Sequence, residues 1–347
     1  MSANGPQGSS NPSLNPPQNQ APQGGQGSLP FVRAFYSPRY AAPLGKHRMP
    51  IRKFGLVADE VVKWPWVRLE EPGPLGEEDF LRVHDPQYIQ AVKTGEPRKL
   101  AESQRFPWSP ELYPSVCHTS GGLYAAALAA LERGGAAAAL VSGFHHSHRT
   151  RGEGYCTFNG LVTVGERLRK EGKIQRLAVL DLDLHYGNGT AQLAVTRPWL
   201  RTLSIYGNDY WEDTTYREVV PCRHQDGENH RSAALPNGSG RDTLMETLAR
   251  ETPWLLGNSP EGSPGSERPD LLLYQAGADP YFEDPYSPLT LNHEDLLARD
   301  EWVFRWAKEQ GLPIAWVLAG GYTEDVSKVV RVHVNTFEAW RRVWRPA

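Results

Sequence analysis

The chain has 347 residues, 39% of them hydrophobic and 22% charged, with a formal net charge of −3 and three cysteines. It carries no long basic run for a nucleic acid or an anionic membrane surface, and no apolar run of the roughly 20 residues a spanning helix needs. Cys117, Cys156 and Cys222 build neither a disulfide framework nor a zinc-finger spacing, and a reducing cytoplasm is the simplest setting for them.

From Met1 to Leu29 there is no Lys, Arg, Asp or Glu, and the residues are mostly Gly, Pro, Ser, Asn and Gln. Such a segment buries too little apolar surface to offset chain entropy, so residues 1–29 read as a disordered tail. It has neither the basic and apolar regions of a secretory signal nor the arginines of a transit peptide. Folded sequence, 30–347, begins near Pro30. Leu123 to Arg133 is rich in helix formers, with His118-Thr119-Ser120 as a cap before it and Gly134-Gly135 as a stop. Strands are predicted at Ala136 to Val141, Arg176 to Leu182, Arg201 to Tyr206, Asp270 to Gln275 and Pro313 to Leu318. Helices are predicted at Leu161 to Lys170, Gly189 to Val195, Thr243 to Leu256, His293 to Glu309 and Glu324 to Val343. Gly207 to Gly240 reads as a polar excursion near the site, and Gly257 to Pro269 as a loop. Strands alternating with helices predict an α/β fold with a mostly parallel sheet covered on both faces.

In such sheets, ligands bind beyond the carboxyl ends of the strands. Four of these ends carry glycines with ionisable or phenolic groups: Ser142-Gly143-Phe144-His145-His146, Asp183 with His185, Ala276-Gly277-Ala278-Asp279, and Ala319-Gly320-Gly321-Tyr322. Asp181, Asp183 and His185 begin on one side of a strand, because strand side chains alternate. Carboxylates are costly to bury without a cation or a partner. Carboxylate and imidazole together suit a divalent cation with a position left open for water, and Asp279 is the candidate third ligand. Paired His145 and His146 suit acid/base work, with Asp181 able to hold one ring and Asn188 the other. A charged and a neutral partner push two histidines toward different protonation states. The Tyr322 phenol can donate to an oxyanion without carrying charge. The set suits metal-assisted hydrolysis of an amide.

The runs Gly143-Phe144-His145-His146, Gly154-Tyr155-Cys156-Thr157-Phe158-Asn159, Asp181 to Thr190, Ala276-Gly277-Ala278-Asp279 and Gly320-Gly321-Tyr322 resemble those of the histone deacetylase family, in that family's order and spacing. The likeness covers Phe35 to the C-terminus. Phe106-Pro107-Trp108-Ser109-Pro110 and Arg299 to Phe304 resemble the class IV branch and its bacterial relatives. The resemblance implies the arginase/deacetylase fold, a single open three-layer domain. It implies a catalytic Zn2+ held by Asp183, His185 and Asp279, with Fe2+ suited to the same ligands. It implies His145 and His146 as the acid/base pair, oriented by Asp181 and Asn188, and Tyr322 as the carbonyl-polarising phenol. Phe144 and Tyr155 fall in the substrate channel, Tyr286 near its mouth, and Lys53 near a basic position at its inner end. A structural K+ or Na+ is implied at the side chains of Asp181 and Ser204, with the carbonyl of Asp183 nearby.

The leading expectation is hydrolysis of an acylated lysine peptide, carrying acetyl or a longer acyl group. The alternatives are deacetylation of a small acylated amine such as an acetylpolyamine, and an inactive acyl-lysine reader. Tyr322 and the full ligand set argue against the reader. Tyr286 weakly disfavours a polyamine, since some relatives that act on polyamines carry a glutamate near that place, although Glu283 lies close by in sequence. The loop Ala41 to Pro50 offers few recognisable substrate contacts.

Overall fold

The computed structural model of the chain describes residues 1–2, 31–45, 47–207, 227–257 and 267–345. All but the first two residues of the expected tail lie outside these, as do Cys222, positions 208–226 of the expected polar excursion and 258–266 of the expected loop.

The strands are β1 (Val32–Phe35), β2 (Val67–Glu70), β3 (Ala136–Ala139), β4 (Leu177–Asp181), β5 (Leu200–Gly207), β6 (His230–Leu235), β7 (Leu271–Gln275) and β8 (Ile314–Val317). The helices are α1 (Lys53–Val61), α2 (Glu77–Phe80), α3 (Pro86–Thr94), α4 (Arg98–Ala101), α5 (Leu112–Arg133), α6 (Gly160–Lys170), α7 (Asn188–Ala194), α8 (Arg241–Glu251), α9 (His293–Glu309) and α10 (Val326–Trp344). Among the described residues, eight strands form one open sheet in the order β2-β1-β3-β8-β7-β4-β5-β6, and every neighbouring pair is parallel.

The sequence explains this order. Leu177–Asp181 and Leu271–Gln275 are buried at every position, as strands covered on both faces must be. The two edges fall to Val-Arg-Leu-Glu in β2 and His-Arg-Ser-Ala-Ala-Leu in β6, whose polar groups tolerate a half-exposed position. Trp316 of β8 lies against Phe304 of α9 and Phe337 of α10, with ring centroids 5.0 and 5.2 Å away. α5 packs against β1, β3, β7 and β8, closing the other side. The small side chains of β3, four alanines, let it approach closely.

Three differences from the sequence reading have physical causes. The long helix begins at Leu112 rather than Leu123, so His118-Thr119-Ser120 lies inside it and is buried, not a cap. β6 runs through the end of the expected excursion, adding an edge strand beside β5. The helix expected to Leu256 ends at Glu251 and tightens into a 3-10 turn over Thr252–Leu256, where Pro253 cannot continue the helical hydrogen-bond ladder. Strands β3, β8, β7 and β4, whose ends carry the predicted groups, are adjacent in the middle of the sheet. That adjacency brings the four loops together.

Candidate active site

β4 ends at Asp181, and the chain turns through Asp183 and His185 before α7 starts. Asp183 Oδ1 and Asp279 Oδ2 each lie 3.0 Å from His185 Nδ1. One ligand atom from each of Asp183, His185 and Asp279 lies within 4.8 Å of the others, and all three residues are buried. Backbone N–H groups fix the carboxylates: Gly320 donates to Asp183 Oδ2 at 2.7 Å, and Leu184 to Asp279 Oδ1 at 3.0 Å. Gly320 has to be glycine, because a Cβ there would stand 2.0 Å from Asp279 Oδ2 and 2.7 Å from Asp183 Oδ2.

This donor set fits a divalent cation. Two buried carboxylates converge on one imidazole nitrogen and call for positive charge between them. Without a cation that charge falls on the ring. Burial works against protonation of His185, but hydrogen bonds and charge from Asp183 and Asp279 outweigh it and push its pKa to about 10. Burial and the neighbouring Asp183 raise Asp279 to about 6.

His145 and His146 stand beside this set with ring centroids 3.9 Å apart. His145 Nδ1 is 2.8 Å from Asp181 Oδ2, and His146 Nδ1 is 2.7 Å from Asn188 Oδ1. Burial lowers both rings, yet Asp181 and Asp183 raise His145 overall, whereas burial and its cationic neighbours hold His146 well below the usual histidine range. The raising of His145 comes from its two carboxylate neighbours, whereas the Asn188 hydrogen bond cannot offset burial and the neighbouring cations at His146. Asp181 therefore serves His145, and it also accepts from the Asp183 N–H at 3.1 Å. Ser204 is its register partner on β5 and accepts from the Gly187 N–H at 3.2 Å.

Three phenols surround the histidines. Tyr322 lies 5.8 Å from His185, 5.2 Å from Tyr286 and 6.2 Å from Tyr155 between ring centroids. Tyr286 is also 5.9 Å from His185. Phe144 is buried at φ 118° on the neighbouring turn.

The model of the histone deacetylase domain matches residues 47–337. This chain belongs to the histone deacetylase family. It is 28% identical over 316 residues to an uncharacterized protein of Picosynechococcus sp., covering 89% of this chain and 98% of that one. It is 26% identical over 269 residues to Histone deacetylase 2 of Arabidopsis thaliana, covering 75% of this chain and 65% of that one. The crystal structure of an acetylpolyamine aminohydrolase from Burkholderia pseudomallei superposes with a TM-score of 0.70 at 19% identity, over 90% of this chain and 99% of that one. As a histone deacetylase family member the chain is an amide hydrolase of a generally metal-dependent family.

Several residues around this deacetylase site escaped the sequence reading. Asp284 accepts from the backbone N–H of both Tyr286 and Tyr322. Arg299, wholly buried on α9, donates to the Gly277 carbonyl at 2.8 Å and to Asp300 at 2.8 Å. Lys53, by contrast, was expected near the inner end of the channel; it is buried beneath the site and donates to the Ala319 carbonyl, and burial lowers its pKa to about 8 even though Asp279, Asp183 and Asp284 oppose the shift. The loop from Ala41 to Pro50 lies against these rings: the His47 ring is 4.8 Å from both Phe106 and Tyr155, edge-on to Tyr155, and Arg48 hydrogen-bonds Tyr286. No helix of the described residues is long and apolar enough to cross a membrane.

Proposed function

We propose that this protein is a zinc-dependent lysine deacylase, hydrolysing the amide of an acetylated or longer-acylated lysine. The observation that carries the lysine reading is the fate of the rim charges. Glu283, the acid a polyammonium chain would seek, is tied to Lys328 and to the Tyr281 hydroxyl. Arg48 instead brings a guanidinium, not a carboxylate, to Tyr286.

Asp183, His185 and Asp279 would hold the zinc, which supplies Lewis acidity toward water and the amide carbonyl. His146 donates its Nδ1 proton to Asn188, so Nε2 carries the lone pair that takes a proton from the attacking water. The same nitrogen returns that proton to the leaving lysine amine as the C–N bond breaks. His145, held by Asp181, balances charge beside it. Tyr322 donates its phenol hydrogen to the developing oxyanion. The products are the free amine and a carboxylate.

A cavity of about 50 Å³ is the room available for an acyl group. It is lined mostly by apolar groups, including Leu44, Met49, Phe106, Phe144 and Tyr155, the last two being the residues expected in the channel. The room suits a short acyl chain as the side chains stand. The second reading, a small acylated amine, rests on the acetylpolyamine aminohydrolase that shares the fold. Turnover of lysine peptides from acetyl to myristoyl, beside N-acetylputrescine, tests both. Peptide turnover lost in Tyr322→Phe supports the deacylase. Turnover of the small amine alone supports the second reading, and turnover of neither overturns both.

A further inference from the structure

Asn188 is a weak guide for a catalytic ring. Its amide is symmetrical in shape, and turned over it would offer N–H to His146 instead of oxygen, forcing the proton to the wrong ring nitrogen. The structure supplies what prevents this. Glu153 Oε1 lies 3.1 Å from Asn188 Nδ2. A carboxylate has no proton to give, so it can only accept, and Asn188 must turn its NH2 toward Glu153 and its oxygen toward His146.

Glu153 is itself firmly held. Its other oxygen takes hydrogen bonds from His148 Nε2 at 3.0 Å and Arg151 at 3.1 Å. His148 Nδ1 faces Gln192 Oε1 on α7 at 2.9 Å, and its Nε2 stands 3.3 Å from Asn188 Nδ2. Paired backbone hydrogen bonds between Glu153 and Cys156 close the turn, at 3.2 and 2.8 Å. Gly154, at φ +51°, presses that turn onto the catalytic ring, since a Cβ there would meet His146 Cδ2 at 2.3 Å. The Glu153 side chain is only 13% exposed. Burial alone would raise its pKa, but the His148 hydrogen bond and the neighbouring imidazoles and Arg151 guanidinium lower it to about 2, so it accepts as a carboxylate at neutral pH.

We infer that Glu153 is a positioning residue, which acts through Asn188 to hold the His146 proton on Nδ1 and leave Nε2 facing the substrate. The inference rests on the role proposed for His146. Its first readout is nevertheless independent of turnover.

The test uses the full chain with 15N-labelled histidine, as wild type, Glu153→Gln, Asn188→Asp and the double variant. In wild type the His146 signals should report Nδ1–H. Glu153→Gln should mix the two tautomers, because a glutamine can donate as well as accept. Asn188→Asp puts two carboxylates about 3 Å apart, a costly arrangement. In the double variant the introduced amide can donate to the introduced carboxylate, which then holds His146 directly and should restore Nδ1–H. With any acyl amide the wild type hydrolyses, kcat should fall roughly tenfold in each single variant, within the range for partners of catalytic ligands, with KM and metal content unchanged. It should recover in the double variant. A wild-type signal from Nε2–H, an unchanged tautomer in Glu153→Gln, or no recovery in the double variant overturns the inference. Normal tautomers with no hydrolysis of any acyl amide would instead overturn the deacylase reading.

Discussion

Asp284 accepts the backbone N–H of Tyr322 at 2.7 Å through one carboxylate oxygen, while its other oxygen accepts that of Tyr286 at 3.1 Å. One buried side chain thus sets the spacing of two phenols whose rings are 5.2 Å apart. Asp284→Ala leaves both N–H groups without this acceptor and frees the Tyr322 loop. Activity should approach that of Tyr322→Phe, roughly 100-fold down, the size typical of losing one oxyanion donor. Asp284→Asn keeps one accepting oxygen and should fall between. Steady-state kcat of the three variants, compared with the Tyr322→Phe/Asp284→Ala double, checks this: independent, multiplying losses would sink it.

The Gly320 N–H holds Asp183 while its missing Cβ leaves room for Asp279. Gly320→Ala should therefore displace the carboxylates without replacing a proposed ligand residue. Metal affinity should fall about 10–100-fold, the usual result of disturbing groups that orient ligands. Metal content after dialysis against a buffered zinc series reads the effect. Unchanged zinc affinity in a folded variant would refute it.

His84 links the fold to the loop carrying His145 and His146. Its Nδ1 is 2.9 Å from the His148 carbonyl, and its Nε2 accepts the Asn159 N–H at 2.9 Å. Burial drives its pKa down to about 3. The folded value is below the unfolded one, so the neutral ring contributes stability that is fully present above about pH 6.5. That stability is lost as pH falls from there toward 3, by roughly 5 kcal/mol in all. Urea unfolding of wild type and His84→Gln at stepped pH should show wild type ahead at pH 7 and the gap closing toward pH 4. A gap that stays constant would mean another group carries the effect.

The motif residues were legible because chemistry and local order coincide in them. An apolar run followed by Asp-Leu-Asp-Leu-His marks a buried strand ending in charge, and β4 ends at Asp181 as that pattern implies. Asp284 and Glu153 had no such mark. Each is one acid in an irregular loop, and only the turn of the chain decides what it touches. Arg48 depends likewise on the path of residues 41–50 across the site. The short edge strands were missed because Val-Arg-Leu-Glu and His-Arg-Ser-Ala-Ala-Leu lack the apolar runs of the central strands. In α5, Gly121-Gly122 after His118-Thr119-Ser120 suggests an interruption, but tertiary packing of a 22-residue helix overrides it.

Arg299 shows how the far face of the sheet steadies the site. Its guanidinium donates to the Gly277 carbonyl two residues before Asp279, and its Nε pairs with Asp300, whose carboxylate also accepts from Tyr274 at 2.5 Å and Thr336 at 2.6 Å. α9, β7 and α10 thus meet at one buried ion pair. Arg299→Met removes the cation and strands the Asp300 charge, which should cost about 3–5 kcal/mol. Arg299→Met/Asp300→Asn removes both charges, leaves an oxygen for the hydroxyls, and should recover part of that loss. Neither change alters a proposed ligand, but both withdraw support from the Gly277 carbonyl. Zinc affinity should stay reduced in the double variant even as the unfolding midpoint recovers. Stability and zinc affinity recovering together would show that Arg299 acts on the metal loop only through global stability.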